Sequence, residues 1–323
     1  MNKEILAILP ISIRQIMQKL NEIVQKDMEE IRIREKRPLE IVYNNQHLFI
    51  SEAGKLTTND QEAYIPTKED TYKILNLISN HSIYRLEEEL KRGYITIQGG
   101  HRIGIVGKAI MENGMVKSLK DISSFNIRIA KQKIGIAKPI LPFLLVDGNI
   151  IQNTLIISPP MCGKTTLLRD IARELSRGNP QLGKSGKKVG IVDERSEIAG
   201  CVEGVPQNDV GPRTDILDAC PKAEGMMMMI RSMSPDVLIV DEIGRQEDTL
   251  AITEARNSGV SVIATAHGLN IEEVMKRPTI SSLIQQEIFT RFILLSRKKG
   301  VGTIEGIFDG QLRQIYFKEK SYV

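Results

Sequence analysis

The sequence predicts an α/β fold, a mostly parallel sheet with helices on both faces, preceded by a smaller α+β domain. Three observations carry this. Thr154 to Leu175 reads as a short apolar strand, a polar turn, and a helix with Leu167, Leu168, Ile171, Ala172 and Leu175 at helical spacing. After it, VGIVD (189–193), VLIVD (237–241) and SVIATAH (261–267) alternate with helices expected near 215–232 and 246–258, the rhythm of βαβ units. Before it, Gly93 to Ile129 alternates polar and apolar residues as an antiparallel sheet does, with a turn at Glu112-Asn113-Gly114.

Taken in order, residues 11–26 set Ile13, Ile16, Met17, Leu20, Ile23 and Val24 on one helical face. Asp27 to Ile50 reads as strands: EEIRIRE, LEIVYNN and HLFI. Lys68 to Asn80 is an amphipathic helix, and Ser82 to Leu90 a further one. Lys131 to Asn153 changes character, with Pro139, Pro142 and Gly148-Asn149 punctuating a short helical segment. A boundary near residue 137 follows, giving domains 1–137 and 138–323. Ser176 to Lys188 is polar, glycine-rich and basic, an exposed loop. The four methionines Met226 to Met229 fit a buried helix packed on the sheet. FILLSR (292–297) and the hairpin VGTIEGIFDG–QLRQIYF close the chain.

Composition narrows the function. The chain has 323 residues, 41% of them apolar, enough for two cores. A net charge of +4 does not by itself indicate nucleic acid. There is no tryptophan, and the few aromatics are scattered, so stacking on single-stranded bases has no support. Cys162, Cys201 and Cys220 lack CxxC spacing, which argues against a disulfide framework or a zinc site. The N-terminus lacks the apolar region of a secretory signal, and no apolar run approaches the ~20 residues of a membrane span. A cytoplasmic location is the expectation.

The chemistry centres on SPPMCGKTT. A strand, a loop and a helix start are the context a phosphate-binding loop requires. Ser158, Pro159, Pro160, Met161, Cys162, Gly163, Lys164, Thr165 and Thr166 are expected to hold ATP. Lys164 would reach the β- and γ-phosphates, and the Thr165 hydroxyl would ligate Mg²⁺. Ser158 stands where the GxxxxGK[ST] pattern has its first glycine. Asp241 ends the apolar strand VLIV and is expected to hold Mg²⁺ beside the loop. Hydrolysis needs a group that orients water, and the residues leave two in competition: Glu242, next to Asp241, and Glu194, after VGIVD. His267 ends the strand VIATA, where it could sense the γ-phosphate, with Thr265 on the same side. Arginines commonly stabilise the developing phosphate charge. Arg102, Arg128, Arg195, Arg213, Arg231 and Arg245 are candidates, with Arg213 and Arg231 preferred.

SPPMCGKTTLLRD, VDERSEIAG, GMMMMIRSMSPDVLIVDEIG, ATAHG, GYITIQGGHRIGIVG and SSFNIRIA together closely resemble the stage III sporulation protein AA family of endospore-forming bacteria, from about Arg32 to Phe317. The C-terminal half also resembles the ATPases of type II and type IV secretion systems. Asp193-Glu194 matches their acidic box, Pro235 to Ile243 their metal-acid strand, and Ala264 to Gly268 their histidine box. Glu194-Arg195 is similar to the glutamate-arginine pair of rotary ATPase catalytic subunits, which turns the expectation for the base toward Glu194. Met161 replaces a glycine common in such loops. The resemblance implies a RecA-like P-loop ATPase domain, ATP hydrolysis and a homo-hexameric ring. It also implies work in the mother cell, at the cytoplasmic face of a secretion-like channel to the forespore. Docking on membrane-anchored stage III sporulation protein AB is implied too. Two rivals stand beside this: a nucleic-acid motor of RecA-like type, and a nucleotide-dependent scaffold with little turnover.

Overall fold

The computed structural model describes residues 2–44, 46–80, 82, 86–146, 150–178 and 185–316. The chain divides into two compact units, Met1–Lys131 and Gln132–Val323.

The first unit opens with helices α1 (Lys3–Ile8), α2 (Ile11–Gln18) and α3 (Glu22–Asp27). The single helix expected over 11–26 is two, because the Asn21 side chain accepts the Ile23 N–H at 2.8 Å and caps a new start. Strands β1 (Met28–Arg34), β2 (Glu40–Tyr43), β3 (Gln46–Ile50) and β4 (Leu56–Thr57) follow, then α4 (Lys68–Ile78) and α5 (Glu87–Arg92). The first part of the helix expected over 82–90 lies outside the described residues. Strands β5 (Tyr94–Ile97), β6 (His101–Glu112) and β7 (Met115–Arg128) complete an antiparallel sheet in the order β4-β3-β2-β1-β7-β6-β5. Asn113 and Gly114 both have positive φ, 51° and 76°, which a two-residue hairpin of matching twist demands. A core of Ile5, Ile13, Met17, Ile31, Ile41, Ile103 and Phe125 packs under the sheet. Helix α4 starts on a capping box: Thr67 and Asp70 each satisfy the other's backbone N–H.

The second unit begins with α6 (Leu141–Leu144), β8 (Leu145–Val146) and β9 (Ile150–Ile151), followed by β10 (Thr154–Ser158), α7 (Lys164–Arg177) and β11 (Val189–Asp193). Its start at residue 132 precedes the expected 138 for a definite reason. The buried Asp170 of α7 accepts N–H groups from Gly135 at 3.1 Å and Ala137 at 2.8 Å, tying that stretch to this core. Next come β12 (Thr214–Asp218), α8 (Lys222–Met233), β13 (Val237–Val240), α9 (Gln246–Asn257) and β14 (Ser261–His267). The unit closes with α10 (Ile271–Met275), α11 (Pro278–Gln285), β15 (Arg291–Ser296), β16 (Thr303–Asp309) and β17 (Gln314–Tyr316). The helix expected to begin near 215 is corrected here. TDILD pairs in parallel with β11, and Pro221 caps the helix only afterwards. Ser176 and Arg177, expected in a loop, are the last turn of α7, and 179–184 lie outside the described residues.

The sheet order is β12-β11-β13-β14-β10-β15-β16-β17. The pairs from β12 through β15 are parallel and the last two are antiparallel. Successive residues of the apolar strands serve opposite faces. Leu155, Ile157, Leu238, Val240, Val262 and Ala264 join a core with α8 to α11. Ile156, Ile191, Val237, Ile239 and Ile263 join another with α7. Each fully buried Leu, Ile or Val contributes roughly 1.5–3 kcal/mol. Met226 and Met229 are buried in the first of these cores, while Met228 is 49% exposed, so the methionine run is one face of a surface helix. The chain leaves β10 on one face toward β11 and leaves β14 on the other face toward β15. The ends of β10 and β14 therefore flank a crevice where connections diverge, the place where such sheets bind ligands.

The phosphate-loop crevice

Ser158, at the end of β10, lies opposite His267, at the end of β14. It is fully buried, and its hydroxyl donates to the Pro159 carbonyl at 2.8 Å. This serine is the last residue of a strand, outside the positive-φ positions, so a side chain costs nothing there. The strain sits elsewhere. Met161 has φ 58° with its side chain 76% exposed, and Gly163 has φ 87°. A non-glycine residue in this region costs roughly 1–2 kcal/mol. A Cβ on Gly163 would also lie 3.0 Å from Val301 Cγ1. Gly163→Ala is therefore expected to lower the melting temperature and to displace the start of α7, checked by thermal unfolding with circular dichroism.

Lys164 is the first residue of α7 and is 7% exposed. Its Nζ donates to the Ser158 and Pro159 carbonyls at 3.3 and 3.2 Å, to Ser158 Oγ at 3.3 Å and to His267 Nδ1 at 2.9 Å. Among the described residues no carboxylate forms an ion pair with it. Burial pushes the ammonium below its ordinary pKa, while Asp241, Glu242 and Cys162 pull the other way. An ammonium only donates, so Nδ1 of His267 is the acceptor. Its Nε2 carries the hydrogen and meets Glu242 Oε1 at 3.2 Å.

Asp241 follows β13. Its Oδ2 accepts the Thr165 hydroxyl at 2.7 Å, and its Oδ1 accepts that of Thr265. The same Thr265 oxygen accepts the Glu242 N–H at 2.8 Å, and the Thr265 carbonyl accepts the Ile243 N–H at 2.9 Å. This clamp holds Glu242 in a left-handed conformation, φ 56°. Glu242 Oε2 meets Arg195 at 3.2 Å.

Glu194 follows β11. Its Oε2 pairs with Lys222, the first residue of α8, and its Oε1 meets the exposed Arg245 at 3.9 Å, beyond hydrogen-bond reach. Its neighbour Asp193 is buried and accepts N–H groups of Glu197, Ile198 and Ala199 at 2.8–2.9 Å. Arg169 of α7 donates to the carbonyls of Ile198 and Glu197. The acidic turn is thus fixed to the helix that starts at Lys164. A small cavity of about 20 Å³ is lined by Asp193, Glu194, Arg195, Lys222, Asp241 and Glu242.

Burial raises the Asp193 carboxyl to a pKa of about 6, against the three hydrogen bonds that lower it. The folded state then holds this proton more tightly than the unfolded chain. Its contribution to stability is complete below the unfolded pKa near 3.8 and is lost as pH rises through about 6. The melting temperature is expected to fall over that window in the wild type and to fall less in Asp193→Asn, measured by calorimetry from pH 3 to pH 7.

The loop residues Ser158 to Thr166, with Asp241, Glu194, Glu242 and His267, lie along one edge of the sheet. Arg213 and Arg231 are not brought to it within the chain. Arg213 precedes β12, at the amino edge of the parallel strands, and its guanidinium donates to the Ser176 carbonyl at 3.1 Å. Arg231 is exposed, nine residues or roughly 13 Å along α8 from Lys222. Besides Lys164, the cations at that edge among the described residues are Lys222, Arg195 and Arg245. Sequence reasoning missed Lys222, because a helix drawn from residue 215 hides it in mid-helix. Seeing TDILD as a strand would have placed it just beyond a strand end, at the functional edge.

This buried lysine at a helix start, between diverging strand connections, on a RecA-like sheet, defines a P-loop fold. Solved structures of that class align with the chain. The Yersinia pseudotuberculosis ATPase DotB does so with a TM-score of 0.59 over 94% of this chain and 81% of its own, at 13% identity. The pilus retraction motor PilT with bound ADP does so with a TM-score of 0.53 over 84% and 76%, at 14% identity. The sequence profile of sporulation stage III, protein AA matches residues 1–315, and the chain belongs to that family. Stage III sporulation protein AA of Bacillus subtilis (strain 168) is 53% identical over 306 residues, 95% of this chain and 94% of that protein.

Proposed function

We propose that the protein is a Mg²⁺-dependent ATP hydrolase. It would energise the assembly or operation of a secretion-like channel between mother cell and forespore. One observation carries the nucleotide reading. The Lys164 ammonium is buried among carbonyls and one imidazole nitrogen, and among the described residues no carboxylate lies in ion-pair contact with it. A buried charge without a contacting counter-charge is costly, the nearby Asp241 and Glu242 offset only part of that, and an anion entering the loop repays the rest. The ADP in the pilus retraction motor supports a nucleotide as that anion.

The residues also fit Mg²⁺. Thr165 Oγ1 and Asp241 Oδ2 are hard oxygen donors already 2.7 Å apart. Mg²⁺ in nucleotide sites takes few protein ligands and completes its shell with phosphate and water. Held there, the ion would supply charge neutralisation to the phosphates. Lys164 would hold the γ-phosphate, and His267 links that lysine to Glu242. Both Glu242 oxygens are engaged, whereas Glu194 Oε1 has no hydrogen-bond partner among the described residues. Glu194 is accordingly assigned to accept the proton of the attacking water. Arg213 and Arg231, remote from the site in their own subunit, are left to act across a contact in a homo-hexamer.

No helix among the described residues is long and apolar enough to cross a membrane. The reading therefore has the protein reach the mother-cell membrane from the cytoplasm through a partner such as stage III sporulation protein AB. A second reading, a scaffold that binds ATP with little turnover, is favoured by the ion pairs that occupy both glutamates. Steady-state phosphate release from Mg-ATP separates them. Continuous turnover that rises with ring assembly, followed by mass measurement, supports the motor, and tight binding without turnover supports the scaffold.

A further inference from the structure

We propose that the turn joining β15 and β16, residues 297–302, forms the nucleoside half of the site, with Val301 as the apolar surface under the base and ribose. The inference rests on the nucleotide reading above and goes beyond it to the part of the ligand that the phosphate loop does not contact.

Strand order gives the direction. Every group that marks the γ-phosphate end lies to one side of β10: His267 at the end of β14, Asp241 and Glu242 after β13, and Glu194 after β11. A triphosphate whose last phosphate meets Lys164 on that side runs across the loop and the start of α7. Its ribose and base emerge on the other side of β10, where β15 and β16 stand.

The turn on that side already touches the loop. The Gly302 N–H donates to the Cys162 carbonyl at 3.1 Å. Val301 Cγ1 packs against the Cα of Gly163 closely enough that a Cβ there would stand 3.0 Å away. Val301 is 49% exposed, an aliphatic side chain held half in solvent beside the phosphate loop. Gly300 and Gly302 on either side have φ of 105° and 85°, a shape that only glycine holds without strain. The turn is braced from within. The Thr303 hydroxyl donates to the Gly300 carbonyl at 2.7 Å, and Lys298 pairs with Glu305 at 3.2 Å. Val301 is therefore a fixed surface. Arg297 and Lys299, both exposed, add positive charge beside the path of the α-phosphate.

The chemistry suits a nucleoside. A base presents a flat face that gains by covering an apolar side chain, and it needs no hydrogen-bonding side chain to do so. Val301 itself gives nothing to an inorganic triphosphate, which lacks that face.

The test is calorimetric titration of the full chain, with Mg²⁺, against ATP and against inorganic tripolyphosphate. Val301→Ser is expected to weaken ATP roughly fivefold by losing apolar contact, with tripolyphosphate unchanged. Val301→Phe enlarges the surface and is expected to tighten ATP a few-fold, roughly, by stacking, a gain that misfolding does not produce. Lys164→Ala is expected to weaken both ligands. ATP affinity indifferent to both Val301 variants would overturn the proposal, as would parallel changes in the two ligands. If the wild type bound neither ligand, the nucleotide reading itself would fail and this inference with it. Tripolyphosphate binding lost in Lys164→Ala, with no effect of Val301 on ATP, would leave that reading intact and remove only this one.

Discussion

Lys164→Ala is expected to abolish ATP turnover, with kcat/KM falling roughly 10³-fold or more, as when a preorganised charge is removed from a transition state. The loss arises at binding and at the chemical step, because this ammonium is the only fully committed cation at the loop among the described residues. The fold is not expected to suffer. The two carbonyls that Lys164 leaves behind keep other donors: Gly268 N–H on Ser158 and the Ser158 hydroxyl on Pro159. Removing a desolvated charge also relieves the burial that lowers its pKa. The melting temperature without nucleotide should therefore hold or rise, while the stabilisation that Mg-ATP gives the wild type disappears. Differential scanning with and without Mg-ATP reads both at once. A variant that loses activity together with its intrinsic stability would point to a structural lysine.

Glu194→Gln is expected to lower kcat by roughly 10²–10⁴-fold, the range for a lost general base, with ATP affinity retained. Glutamine keeps the shape but leaves Lys222, whose side chain is 10% exposed, without its carboxylate. Breaking such a pair costs roughly 3–5 kcal/mol, so stability will fall with the rate unless the two are separated. Lys222→Met combined with Glu194→Gln separates them. It should restore the melting temperature and leave kcat low. Glu242→Gln should affect the rate less, since its oxygens serve His267 and Arg195. A pair of variants with the reverse ranking would exchange the two glutamates' roles.

The sequence made the strands of the parallel sheet readable because each is an unbroken apolar run too short for a helix. Lys164, Thr165 and Asp241 were readable through spacing, since loop, helix start and strand end carry their own signatures. Three things were not. TDILD is short, polar at both ends and half-buried at the sheet's rim, so its period of two was lost beside a long helical stretch, and Lys222 with it. The break at Asn21 depends on one side-chain hydrogen bond inside a continuous apolar pattern. The contact of the 297–302 turn with the phosphate loop joins residues more than 130 positions apart through backbone groups, which periodicity cannot report. The two departures from the loop pattern also divide on inspection of φ. Ser158 needs no glycine, whereas Met161 occupies the left-handed position where glycine is common in similar loops.

The most direct measurement is a crystal structure of the wild type with Mg²⁺ and a non-hydrolysable ATP analogue. The account predicts the γ-phosphate on Lys164 Nζ. It also predicts that the direct Thr165–Asp241 hydrogen bond of 2.7 Å opens as both side chains turn to the metal shell. Electron density for the analogue elsewhere on the protein, with that bond and the Lys164–His267 contact undisturbed, would contradict it.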